Sequence, residues 1–384
     1  MQIKPGIETL AVHAGYPLDP GTDAVTPAIH LSTTFARQSD GSYQHPYDYI
    51  RCTNPGRDNL EKCLCELEGG EAAAAVASGS AAAASVFLAL EPGAHVVAPR
   101  DAYCGTGLLL NTVFARWHLK STFVDMTDLN QVEKAISIPN TQLVWLETPS
   151  NPLLKISDIA AIAQMAHQVG ARCVCDNTWA TPVLQRPLEL GADLVTHSST
   201  KYLGGHADAM GGVIVSKVKD EFFERIRQIQ VGMGIGNAPF DAWLILRGIQ
   251  TLPLRIKASS EAASYIAQFL SNHPKVKRVY YPGLAEHRGA ELAARQMLYG
   301  GGMVSFQVGS REEAFQVAGK LQVFTSATSL GTVKSLVEIG ALMESMQNLD
   351  TSSVEAVIPD DLLRLSVGIE DVKTLIWDLE QALS

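Results

Sequence analysis

A lysine and two hydroxyl residues stand close together in Leu194-Val195-Thr196-His197-Ser198-Ser199-Thr200-Lys201-Tyr202. Leu194 to Thr196 read as the end of a buried strand. Ser198 and Thr200 occupy alternate positions, so in extended backbone both hydroxyls point the same way. Lys201 follows directly. A lysine amine is a useful nucleophile only when burial or a nearby cation lowers its pKa. Two hydroxyls beside a lysine at a strand end suggest a phosphate site next to a Schiff-base amine. Taken alone, the stretch is equally compatible with a surface lysine after a polar turn.

Upstream lies Cys173-Val174-Cys175-Asp176-Asn177-Thr178, an apolar strand ending in an acid. In a parallel α/β sheet, ligands sit at the carboxyl ends of strands. A strand-end Asp and a strand-end Lys on successive strands can therefore face one ligand. Pyridoxal phosphate (PLP) needs such a pair: a lysine for its aldehyde and an aspartate to keep its ring nitrogen protonated. A lone Asp176 would read as a helix cap or turn residue; the two features together favour the cofactor.

The elements that must position these residues alternate. Strands at 95–98, 123–125 and 143–146 are separated by helical segments near 128–136 and 157–169, the pattern of a mostly parallel sheet. Ser157 is expected to cap the second helix and Gly170 to end it. Residues 57–67 have helical spacing, with Gly69-Gly70 as the stop. Ala75 to Ser80 then lead into an Ala-rich helix. A glycine in a turn before a helix offers free N–H groups to an anion, which makes Gly79 and Ser80 a candidate phosphate cup. Phe240 to Leu254 reads as a helical connector. Beyond about 256 the pattern changes to helices near 259–271, 289–298 and 312–319, a strand at 303–306 and a last helix from Asp371. Gly232-Met233-Gly234-Ile235-Gly236 follows no strand and gives no dinucleotide-binding unit.

With 384 residues, 46% hydrophobic and 18% charged, the chain is long enough for two domains with cores. A formal net charge of −10 argues against nucleic acid as a partner. No secretory signal is visible at the N-terminus, so a cytoplasmic location is expected. Ala72 to Leu90 is uncharged and about long enough to cross a bilayer, apart from Glu71 just before it. It is mostly Ala, Ser and Gly, and Ser78-Gly79-Ser80 divides it, so it reads as a buried loop-to-helix unit and no membrane partner is expected. The six cysteines have no zinc spacing and are expected to be buried free thiols, with no metal site.

Ser198-x-Thr200-Lys201-Tyr202, followed by Gly205-His206-x-Asp208, resembles the lysine motif of the Cys/Met-metabolism family of PLP enzymes. That family contains cystathionine γ-synthase, cystathionine γ- and β-lyases, methionine γ-lyase and homoserine-ester sulfhydrylases. The resemblance runs from Ala14-Gly15 to Arg364-Leu365-Ser366-Val367-Gly368-Ile369-Glu370. It implies an α/β, fold-type-I PLP-dependent transferase fold (aspartate-aminotransferase-like), with a mostly parallel central sheet and a smaller α+β C-terminal domain. The expected divisions are an extended arm over 1–50, a PLP-binding domain over 51–245 and a C-terminal domain over 246–384.

By the same resemblance, Lys201 carries the cofactor and moves protons, while Asp176, Thr178, Ser198, Thr200, Gly79 and Ser80 surround it. Tyr103 stacks on the cofactor ring and lies near the leaving group. Asn151 bonds the phenolic oxygen and borders the substrate. Tyr49 and Arg51 reach the phosphate of a neighbouring subunit, with Tyr49 also on the substrate side. Arg364 and Ser329 hold the substrate α-carboxylate. A homotetramer, a dimer of dimers with shared active sites, is implied. The small amino-acid substrate reacts at Cγ, by elimination or replacement, on a sulfur-containing or O-acylated homoserine-type compound. A cystathionine β-lyase activity is the alternative. A non-catalytic PLP-fold binding protein is the remoter one, and Lys201, Asp176, Tyr103, Arg51 and Arg364 together argue against it. The chain departs from the cystathionine branches at Leu108, Thr328, Lys334, Glu344 and Ser345, where charged or polar groups that recognise the distal end of the substrate are usual. A smaller, less charged substrate tail is therefore expected.

Overall fold

The computed structural model describes residues 5–19, 21–347 and 358–384. A seven-stranded sheet carries the first core. Its strands are β1 (Ala72–Val76), β2 (His95–Pro99), β3 (Lys120–Val124), β4 (Thr141–Glu147), β5 (Arg172–Asp176), β6 (Leu194–His197) and β7 (Gly212–Ser216). In space they run β1-β7-β6-β5-β4-β2-β3. Only β7 opposes its neighbours, pairing antiparallel with β1 and β6, and the other pairs are parallel. Helices cover both faces, which is why β2 and β7 are buried along their whole length and read as unbroken apolar runs. Register places Glu147 beside Asp176, and Asp176 beside Thr196, so three strands end at one edge.

Local chemistry sets the helix ends. Pro55–Glu68 starts where the Asn54 side chain accepts from the N–H groups of Gly56 and Arg57, and stops at Gly69 with φ 75°. Gly79–Leu88 starts where Ser78 accepts from the Ala81 N–H. The helix expected from Ser157 begins later, at Ile159–Gln168, and is capped by Asp158. Ser157 instead donates its N–H to Thr148 Oγ1. The expected connector over 240–254 is two helices, Pro239–Ile249 and Leu252–Ser271. Pro253 has no N–H to give the Ile249 carbonyl, and proline suits the start of a new helix.

That second helix serves both cores. Leu252 and Ile256 pack with the first, Ile266 and Leu270 with the second. The second core lies on a five-stranded sheet of β8 (Arg278–Tyr280), β9 (Met303–Gln307), β10 (Thr325–Ser326), β11 (Leu336–Ile339) and β12 (Leu362–Ser366), ordered β10-β11-β12-β9-β8. Phe306, Val304, Leu363 and Leu365 face the helices Arg311–Lys320 and Val372–Leu383. At the N-terminus, Ile7–His13 is helical and buries Ala11 in the first core, so this part of the expected arm is anchored to its own chain. Leu18, Val25 and Leu31 beyond it are exposed. No helix of the described residues is long and apolar enough to cross a membrane.

Candidate active site

A cavity of about 360 Å³ opens between the carboxyl ends of the first sheet and the strands β11 and β12 of the second. One end is lined by Ser78, Gly79, Ser80, Ser198 and Thr200. A Cβ on Gly79 would lie 2.7 Å from Ser198 Cβ, so glycine is what lets the helix start approach the strand end. Thr178 ties β5 to β6: its hydroxyl accepts from the Ser198 N–H at 2.8 Å, and its own N–H donates to Asp176 Oδ1 at 2.9 Å. Thr200 Oγ1 donates to the Gly211 carbonyl at 3.2 Å and accepts from the Gly211 N–H at 3.1 Å. Arg255 fixes the turn that follows, donating to the carbonyls of Tyr202 and Gly248, each at 2.7 Å. Hydroxyls and a helix N-terminus thus gather at a single end, as an anion requires.

The carboxylates of the site lie further in. Burial raises the Asp176 pKa, while its bonds from Thr178 and the nearby His197 oppose that rise. Glu147, on the adjacent strand, is pushed up to about 8 by burial and then by the charge of Asp176. Two neighbouring buried carboxylates resist double ionisation, and burial raises both. Glu147 also holds the loop after β2, accepting from the Tyr103 N–H at 2.7 Å and from Thr106 Oγ1 at 2.9 Å. Tyr103 itself is 50% exposed on the cavity wall, and its phenol is pushed up by partial burial.

Beneath Asp176 lies a buried polar cluster. His197 Nε2 is 2.6 Å from Glu68 Oε1, and Asn177 Nδ2 donates to the same oxygen at 3.0 Å. Removing one partner of such a buried bond leaves the other polar group unsatisfied, which costs its desolvation.

Lys201 reaches the cavity and donates to Ser329 Oγ at 2.5 Å. Burial lowers its pKa, the positive Arg364 lowers it further, and Glu338 opposes both. Arg364 is 4% exposed, donating from Nη1 to Asn151 Oδ1 and from Nη2 to the Ser329 carbonyl, both at 2.9 Å, and from Nη2 to Glu338. Ser329 therefore serves Lys201 with its side chain and Arg364 with its backbone. Its φ of 85° is costly for any residue with a Cβ, and such strain concentrates at functional sites.

The cavity thus collects Lys201, Asp176, Thr178, Ser198, Thr200, Gly79, Ser80, Tyr103, Asn151, Ser329 and Arg364 from the expected set. Tyr49 and Arg51 are not among its lining residues. Arg51 lies over the Tyr49 ring at 5.5 Å and donates to the Val231 carbonyl at 3.2 Å. Of the departures, Thr328 lines the cavity, whereas Leu108 and Lys334 do not. The side chains of Glu344 and Ser345 lie outside the described residues. Glu147, Glu338, Glu68 and His197 were missed from sequence. Glu147 and His197 carry a signal that could have found them, being polar residues at the ends of apolar strands. Cys63, Cys173 and Cys175 are buried free thiols as expected, but Cys52, Cys65 and Cys104 are only partly buried. No cluster of metal-ligating side chains occurs among the described residues.

These donors suit pyridoxal phosphate: hydroxyls and free N–H groups for its phosphate, a buried carboxylate for its ring nitrogen and a buried amine for its aldehyde. Fold and site together define a fold-type-I PLP-dependent enzyme. The sequence pattern of the family described as Cys/Met metabolism PLP-dependent enzyme matches residues 8–384. The cystathionine gamma-synthase of Mycobacterium tuberculosis is 47% identical, over 98% of this chain and 97% of its own. The cystathionine beta-lyase of Coxiella burnetii is 44% identical, over 99% and 98%. The crystal structure of cystathionine gamma-lyase from Lactobacillus plantarum, complexed with L-serine, superposes with a TM-score of 0.93 at 40% identity, covering 98% of each chain. The chain belongs to the Cys/Met-metabolism family of PLP-dependent enzymes, and PLP is its cofactor.

Proposed function

We propose that this enzyme eliminates or replaces the γ-substituent of a sulfur-containing or O-acylated homoserine-type amino acid, and that it favours an uncharged tail. The cations that this chain itself contributes to the cavity support the second half of this reading. Among the described residues, its basic lining groups are Lys201 and Arg364. Both have assigned work, at Cα and at the α-carboxylate. Residues 348–357 contain no Lys, Arg or His. Lys334 is exposed and does not line the cavity. The lining also includes Leu330, Met343 and Ile358 with Thr328, a surface for a thioether or acyl chain.

The gathering of these side chains in one cavity supports the following roles. Asp176 faces the ring nitrogen, the Ser198/Thr200/Gly79/Ser80 end takes the phosphate, and Asn151 borders both cofactor and substrate. Bound PLP supplies a sink for the electron pair left when the Cα proton is removed. Lys201, with its lowered pKa, is the base that takes that proton and returns it, and Ser329 Oγ aims the amine. Tyr103, kept as a phenol, packs beside the ring and near the departing group. Arg364 fixes the α-carboxylate. A partner subunit's Tyr49 and Arg51 complete the phosphate end, since among the described residues this chain's lining has no cation besides Lys201 and Arg364. The exposed Leu18, Val25 and Leu31 of the arm suit burial on that partner, in a homotetramer built of such dimers. Six unpaired cysteines fit the reducing cytoplasm.

The test is kcat/KM for cystathionine against methionine, homocysteine and an O-acylhomoserine. Losing a charge-assisted fork to a distal carboxylate costs about 1.5–3 kcal/mol, or roughly ten- to a hundredfold. Cystathionine should be the poorest of the four, and a clear preference for it overturns the reading. The resemblance to a β-lyase supports β-elimination as the second reading. The 2-oxo acid formed from cystathionine separates the two: four carbons for γ-cleavage, three for β-cleavage.

A further inference from the structure

Arg364 is buried in a setting that already contains a carboxylate. Glu338 on β11 is its direct cross-strand partner on β12. Both side chains are nearly closed to solvent, at 5% and 10% exposure. A carboxylate can fork onto a guanidinium across Nη1 and Nη2, or across Nε and Nη2. Either fork requires Nη2. In this structure both Nη2 hydrogens are engaged, one by the Ser329 carbonyl and one by Glu338. Nη1 is bonded to Asn151, while Nε is buried without a partner among the described residues. The Ser329 carbonyl is part of a strained, tightly held turn, whereas Glu338 is a side chain with rotatable bonds. A substrate carboxylate therefore reaches its full fork by displacing Glu338.

We propose that Glu338 is an internal carboxylate that holds Arg364 until the substrate α-carboxylate displaces it, and that the displaced Glu338 then takes up a proton from solvent. This rests on the reading of Arg364 as the α-carboxylate anchor. An unpaired guanidinium at this depth would be expensive. Glu338 removes that cost in the resting enzyme, and substrate binding becomes an exchange of one carboxylate for another.

The titratable groups facing Glu338 are Arg364 from β12, Lys201 from the turn after β6, and Tyr103 from the loop after β2. Tyr202 also acts on Arg364 electrostatically. Burial already raises the Glu338 pKa, and Arg364 and then Lys201 restrain it. Once Arg364 is taken by another carboxylate, the main restraint is gone and a second negative charge lies close by. The complex then binds more protons than the free enzyme. Affinity for a carboxylate must rise as pH falls and weaken as pH rises.

The probe is 3-(methylthio)propionate, which has the carboxylate and a thioether tail but no amine, so it cannot be turned over. It is titrated calorimetrically into the PLP-loaded enzyme at one pH, in buffers of different ionisation heat, to count protons exchanged per site. The wild type should take up protons on binding. Glu338→Gln should take up none and should bind on the order of tenfold tighter. Uptake unchanged in Glu338→Gln overturns the proposal, and so does weaker binding by that variant, which would make Glu338 merely a brace for Arg364. If the variant fails to fold, the wild type decides alone: no proton uptake, with affinity flat between about pH 6 and 9, overturns it. Arg364→Lys distinguishes the underlying reading, because binding of the probe unchanged in that variant shows that Arg364 is not the anchor at all.

Discussion

At the scale of single residues, Lys201 is defined by its neighbours. An exposed lysine near neutral pH is an ammonium, unable to act as a base. Here burial and Arg364 both push toward the free amine, and Ser329 Oγ gives that amine a direction. Lys201→Ala should abolish the yellow absorbance of the bound cofactor and lower turnover by at least the hundred- to ten-thousandfold, roughly, that a positioned general base contributes. Absorbance spectra and single-turnover rates measure both effects, and a variant that turns over at the wild-type rate would sink the assignment. Lys201 and Asp176 stood out in the sequence as a lysine and an acid at strand ends and Arg364 through the family resemblance, and one cavity gathers all three. Glu338 did not stand out, and Glu147 showed only as an acid at the end of an apolar strand. Their meaning comes from pairing across strands distant in sequence, Glu338 with Arg364 and Glu147 with Asp176. No local spacing encodes such register.

At the scale of elements, the phosphate end depends on how closely the helix Gly79–Leu88 approaches the end of β6. The contact is geometric: an added Cβ at residue 79 would lie 2.7 Å from Ser198 Cβ and 3.0 Å from Ser198 Cα. Gly79→Ala must separate the two elements that form the cup. Misplacing the N–H groups and hydroxyls should weaken cofactor binding by roughly tenfold or more, the worth of a single lost charge-assisted hydrogen bond. The dissociation constant of PLP, followed by absorbance on dilution or dialysis, measures this. Retention of cofactor at the wild-type affinity would show that the cup tolerates the methyl group. The element pattern itself was readable, since buried parallel strands are continuous apolar runs and helices between them keep their period. Boundaries were less so. Ser157 and Asp158 are both good caps by type, and the chain uses Asp158 because Thr148 engages the Ser157 N–H. The break at Gln250-Thr251 was signalled by Pro253, yet the apolar period runs on through it.

At the scale of the whole molecule, the cavity of one chain is chemically incomplete. Its phosphate end offers hydroxyls and N–H groups, but the basic lining residues among those described are Lys201 and Arg364. Meanwhile Tyr49 and Arg51 stand away from that cavity, stacked on each other and partly exposed. The segment that carries them leaves Leu18, Val25 and Leu31 in solvent after a helix that anchors its start. Two such chains related by a two-fold axis would each lend the other an arm and the arginine on it. This arrangement has a signature that no single-chain site can produce. Arg51→Ala and Lys201→Ala should each be inactive alone, the first through its partner's phosphate end and the second through its own. After subunit exchange of equal amounts, about half of the dimers are hybrids, and each hybrid has one site built from two intact halves, so about a quarter of the wild-type activity should return. Native mass spectrometry of tagged subunits establishes that exchange has occurred, and turnover of the mixture gives the answer. Exchange without recovery would place Arg51 in the service of its own chain.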